Sequence, residues 1–218
     1  MKLFPSILLA TLLMGPAFGA QRRSHIGRDS ALIHRSMARS SVVYRRIVQA
    51  NRLLALDRDL GRAESILWGA RALENPGDSA DEALTELYER EGRWERARAT
   101  FRPVVYSSEG VRRNLPGINA RLMRYVLLCR KSGRSDEATA AWNEIHGRTP
   151  WEKAVAAALD ADESRLVQWR VALWTETVRT KPDDVFCRAH LLKARQDEAT
   201  WRTRRIAEAR KAFGFDLA

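Results

Sequence analysis

Apolar residues recur along this chain at intervals of three and four, and the runs are broken by Gly, Pro and short polar clusters. Val43, Ile47, Ala50 and Leu54 share one face of a helix over 42–56. Upstream, Asp29-Ser30 offers an N-cap to Leu32, Ile33 and Met37. Asp59-Leu60-Gly61 interrupts the pattern, and a second helix is expected over 62–73 before Asn75-Pro76-Gly77-Asp78 stops it. The best-formed stretch predicts a helix over 80–91, a turn at Gly92 and a helix over 94–105. A longer loop over 106–118 follows. Helices over 119–131 and 136–146 then flank Ser132-Gly133-Arg134, with a stop at 147–150. The remainder predicts helices over 151–159 and 163–179 around a turn at Asp160-Ala161-Asp162. After Pro182, two more are expected over 185–195 and about 198–213. No segment shows strand alternation, so the pattern predicts an all-α chain.

The helices repeat. Ala63 and Ala97 lie 34 residues apart, each followed four positions later by a large apolar residue, Leu67 or Phe101. Ala138 and Trp142 continue the pattern after 41 residues, the excess falling in the longer loop. A small residue lets one helix approach the next, and the large one fills the groove beside it. Leu84, Tyr88, Gly92, Trp94, Ala97 and Phe101 together resemble the tetratricopeptide repeat family. Tyr125, Gly133, Ala138 and Trp142, ending at Pro150, form a second match. Ala63, Leu67, Ala70 and Pro76 form a weaker one, with the turn glycine displaced to Gly61. The resemblance covers 42–150 directly. After Pro150 only Trp174 and Pro182 fall in plausible places.

The resemblance implies an all-α, right-handed solenoid of about four to five helical hairpins over residues 29–218. It also implies a concave groove lined by the first helix of each hairpin. Carried onto this chain, the groove residues are Arg45 and Arg52 from the first repeat, Glu82, Glu86 and Glu89 from the second, and Arg124, Arg130 and Lys131 from the third. The glutamates recur at i, i+4 and i+7, so they share one face, which leaves them free to meet a partner. The family's clamp for chaperone tails uses Lys and Asn at set groove positions; Val48 and Arg52 stand there instead, which argues against that role.

Residues 1–19 change the picture of where the protein works. Lys2 precedes an apolar run from Leu3 to Phe18, and Ala17 and Gly19 supply small residues at a cut site. Charged start, apolar middle and small-residue exit predict a secretory signal peptide. No Cys at the cut site supports a lipid anchor, and no later segment is apolar enough to span a bilayer. The expected product is exported, periplasmic or secreted, with a flexible polar start over 20–28. Export permits disulfides. Cys129 and Cys187, however, fall on first helices separated by a whole hairpin, beyond the roughly 7 Å reach of a bridge. Two buried free thiols are expected.

The formal net charge is +11, carried mostly by Arg. A GC-rich genome accounts for much of such a bias, although Arg also suits carboxylates and phosphates. Arg202, Arg204, Arg205, Arg210 and Lys211 cluster on the last helix with Trp201. They fit the polar outer face of a capping helix, or a contact to anionic polymers or lipid. The seven tryptophans fall mostly at packing positions. No metal-ligand spacing, nucleophile motif or phosphate loop occurs. Asp160 and Asp162 read as turn and capping residues, and His146 as a favourable charge in the last turn of its helix. The sequence therefore predicts a non-enzymatic scaffold without metal or cofactor. It would bind a protein or peptide through its groove, with nucleic acid disfavoured. The competing reading is a basic module for anionic envelope polymers or lipid, acting through the C-terminal helix.

Overall fold

The hairpin turns form where the glycines stand. In the computed structural model, which describes residues 40–74, 79–106, 117–164 and 166–214, Gly92 and Gly133 have φ of 69° and 74°. At each, the amide of the glycine bonds back to one carbonyl and the next amide to an earlier one: Gly92 to Glu89 and Arg93 to Tyr88, Gly133 to Arg130 and Arg134 to Cys129. This double closure satisfies the orphan carbonyls of the preceding helix and requires a left-handed residue, which Gly adopts without a Cβ clash.

Nine helices are present among the described residues, and no strand. They are α1 (40–55), α2 (Leu60–Arg71), α3 (Ser79–Arg90), α4 (Trp94–Tyr106), α5 (Ile118–Lys131), α6 (Ser135–Glu144), α7 (Pro150–Glu163), α8 (Val167–Thr180) and α9 (Val185–Ala212). Contacts divide the chain into two units, 1–42 and 43–218. Only residues 40–42 of the first unit are described, and the helix packing belongs to the second. The proposed signal peptide, the polar start over 20–28, the N-cap at Asp29-Ser30, the Asn75–Asp78 stop and most of the loop over 106–118 lie outside the described residues.

Consecutive helices pack on each other from α2 to α6 and again from α7 to α9. α5 is the centre, touching α4, α6, α7 and α8. Its sequence explains this: Ala120, Leu122, Met123, Tyr125, Val126, Leu128 and Cys129 are buried almost all the way round the helix. One apolar cluster runs from Leu54 in α1 through Leu84, Phe101, Tyr125 and Trp174 to Leu191 in α9. Phe101 of α4 meets Trp169 of α8 edge to face at 5.6 Å. The small residues expected to allow close approach, Ala63, Ala97 and Ala138, are all buried.

Three expectations are corrected. The last helix is one 28-residue element, not two. α7 runs on through Asp160 and Asp162, which therefore lie in a helix and not in a turn. His146 lies beyond α6, where its amide donates to Asn119 Oδ1 at 3.2 Å. For the last two, a partner distant in sequence decides. Asp160 caps the start of α5, accepting from the amides of Asn119 at 2.7 Å and Ala120 at 3.3 Å. Lys153 caps the end of α6 in place of His146, donating to the carbonyls of Trp142 and Ile145.

Cys129 and Cys187 are both buried and unbridged, and burial pushes both thiols above the usual range. Ellman's reagent should label neither in the native protein and both after denaturation. Rapid native labelling would show that one of them is reachable.

Candidate partner groove

Of the residues assigned to a groove, Arg52 and Glu86 line one cleft and Glu89, Arg124 and Lys131 another, but most of the eight are already engaged. Glu82 pairs with Arg121 at 2.9 Å, and Glu89 with Arg124 at 2.5 Å. Glu86 takes Arg90 at 2.9 Å and Arg205, from α9, at 3.3 Å. The glutamate stripe of α3 is thus zipped to an arginine stripe on α5 and to α9. This corrects the expectation that these carboxylates are left free. Arg130 pairs with Glu176 of α8 at 3.0 Å and lies over Trp142. Lys131 lies over Trp94 with Nζ 3.9 Å from the ring centre. Arg45 and Arg52 are exposed on α1.

What remains open is a run of clefts between these helices and α8 and α9. One, of about 770 Å³, is bounded by Tyr44, Val48 and Asn51 of α1, Gln168 of α8, and Trp201 and Arg205 of α9. Asn51 Oδ1 is buried there with no hydrogen-bond partner among the described residues. A second cleft, of about 410 Å³, adjoins it between Ala55, Arg90 and Ile206. A third, of about 310 Å³, runs between α5 and α8 over Leu127, Leu128, Ala172 and Leu173, rimmed by Glu89, Arg124, Lys131 and Glu176.

Arg205 lines both of the first two clefts. From α9 it reaches Glu86 and the carbonyl of Asn51, residues 119 and 154 positions earlier, while stacked on Trp201 at 4.5 Å. The sequence shows Arg205 within a cationic cluster, but nothing local marks its partner. The other members of that cluster are exposed, with Arg202 held by Glu198 at 2.7 Å.

The tryptophans are structural. Trp169 and Trp174 are buried, and Trp94, Trp142, Trp151 and Trp201 are half-buried. Trp68, at 44 % exposure, is the least covered and donates to Tyr88 Oη at 3.2 Å. A cation lies over the rings of Trp68, Trp94, Trp142, Trp151, Trp169 and Trp201. Much of the arginine excess is spent on such stacking and on ion pairs between helices.

Electrostatics at the groove edge follow from these pairs. Arg179 and Arg130, hydrogen-bonded to Glu176, hold its buried carboxyl below the usual carboxylate range. A carboxylate with a depressed folded pKa contributes stability above its unfolded value, near 4.3, and that stability is lost as pH falls through the folded value. The urea midpoint should therefore change little between about pH 7 and pH 5 and drop below about pH 4. Glu176→Gln should flatten part of that drop; an unchanged profile would show that this carboxylate is not coupled to folding.

Among the described residues, no three or more His, Cys, Asp or Glu side chains come together as a metal site, and no helix is long and apolar enough to cross a membrane. Fold and clefts together describe an all-α protein with clefts lined by both charged and apolar residues. No family model, curated protein or solved structure matches the chain.

Proposed function

We propose that this chain is an exported, non-enzymatic helical-hairpin solenoid of tetratricopeptide type that holds a protein or peptide partner in the groove along α1, α3 and α5. One observation carries the reading. The open clefts follow the faces of these three helices, and Arg52, Glu86, Glu89, Arg124 and Lys131 line them. The α3–α4 and α5–α6 hairpins, each closed by a left-handed glycine, support the repeat reading. The ion pairs across α3 and α5 tie the two helices together along the groove, and the apolar floor between α5 and α8 offers burial to a partner's side chain.

Ala172 is exposed on the wall of the α5–α8 cleft. Ala172→Trp fills that cleft and replaces none of the paired charges on its rim. Proteins retained from the exported fraction by the native chain should be lost with this variant while its melting temperature holds. Retention unchanged by Ala172→Trp and by Arg52→Glu would show that the groove does not hold the partner. Turnover of a cell-wall polymer abolished by a single carboxylate change would overturn the non-enzyme reading.

A further inference from the structure

α9 buries one face and leaves the opposite one uncharged over most of its length. The inner one buries Cys187, Leu191, Ala194 and Ala209. The outer one carries Ala189, Leu192, Gln196, Ala199 and Thr203, spaced three and four residues apart and all exposed. Val185 extends this outer face at 78 % exposure, and Leu192 stands at 60 %. An outward face is ordinarily charged; this one has no charge along its middle until Arg210. The charges sit at its edges. Arg188, Arg195 and Arg202, seven residues apart, follow one edge, and Lys193 and Arg204 the other. Arg188 and Arg202 have acidic partners, Asp183 and Glu198. Among the described residues Lys193, Arg195 and Arg204 have none. Of the acids of α9, Asp197 lies on the Lys193–Arg204 edge but holds Arg170, Glu198 holds Arg202, and Glu208 borders the cleft.

We propose that this outer face is a second docking surface, separate from the groove, and that its occupant is a helix of another protein whose apolar seam is edged by Glu and Asp. Heptad spacing of uncharged residues, here Val185, Ala189, Leu192 and Ala199 together with Gln196 and Thr203, and charges at the flanking positions is a pattern that seats one helix along another. Ala189 and Ala199 permit the close end of the usual 8–10 Å helix separation. At 1.5 Å per residue the face from Val185 to Thr203 offers a seam about 27 Å long. Charge complementarity selects the partner. A second copy would set cations against cations along both edges. The chain's own residues 20–39 carry five Arg and one Asp, so they too are repelled. A lipid surface would be met by Trp, Phe and Leu at the centre of such a face; Gln196, Ala199 and Thr203 stand there.

The test uses a fluorescein-labelled synthetic helix of about three heptads, with Leu and Ala on the seam and Glu on both edges, and its Lys-edged counterpart. Anisotropy with the purified chain should show the Glu-edged helix binding at least about tenfold more tightly, with the difference shrinking as salt rises. Leu192→Lys, and separately Arg195→Glu with Arg204→Glu, should each weaken it about tenfold, with circular dichroism unchanged. Ala172→Trp in the groove should have no effect. Equal binding of both helices, or Glu-edged binding indifferent to Leu192→Lys, overturns the proposal. So does binding to phosphatidylglycerol vesicles that these variants abolish while neither helix binds, which would assign the face to lipid. Self-association lost on Leu192→Lys would assign it to a second copy. None of these outcomes bears on the groove.

Discussion

Trp174→Ala should lower the free energy of unfolding by about 4 kcal/mol, within the usual range for removing a buried Trp. Trp174 is fully buried in α8 and is among the largest side chains in the core. It also joins three helices. Nε1 donates to Asp162 of α7 at 3.3 Å, and the ring packs against Phe186 and His190 of α9 at 5.9 and 4.5 Å. Its loss leaves a cavity that neighbours on helices cannot fully close. It also leaves Asp162 with fewer donors, although Arg170 remains bound to it. Because the site is the α7–α8–α9 joint, the damage should be uneven. Amide exchange should accelerate most in α9, and less in α3 and α4, which lie away from this joint. A loss under about 1 kcal/mol, or uniform exchange along the chain, would mean that α9 is held mainly elsewhere.

Arg205 is the alternative anchor, and it marks where sequence reasoning stops. The turns at Gly92 and Gly133 were legible because only a left-handed residue closes them, and local chemistry records that need. The helix faces were legible from their period, down to the buried Ala63, Ala97 and Ala138. The split of α9 was misplaced because the repeat pattern called for a hairpin there, whereas residues 195–198, Arg-Gln-Asp-Glu, contain no Gly or Pro to break a helix. Asp160 and Asp162 suggested a turn because polar pairs often do. Their partners, the start of α5 and Arg170, are brought to them only by the fold. The glutamate stripe of α3 shows the same limit. Periodicity placed Glu82, Glu86 and Glu89 on one face, but the α5 and α9 arginines that cover that face lie 35 to 119 residues away.

That covered stripe makes the second large prediction an asymmetric one. Glu89→Ala should cost about 3 kcal/mol, whereas Arg124→Met should cost little or even stabilise. Arg124 is only 6 % exposed. Its guanidinium lies over the rings of Phe101 and Trp169, at 5.0 and 4.4 Å, and among the described residues its acidic partner is Glu89. Removing Glu89 leaves a desolvated cation without a counter-charge, and the two aromatic faces offset only part of that. Removing the arginine instead leaves Glu89, 28 % exposed, with access to water, while a methionine of similar length keeps the packing against both rings. The double variant should resemble Arg124→Met alone, so the two changes should be strongly non-additive. Urea unfolding of the three proteins measures this directly. Equal and additive losses for the two single variants would show that the pair behaves as a surface ion pair, and that the wall between α3 and α5 depends on packing rather than on charge.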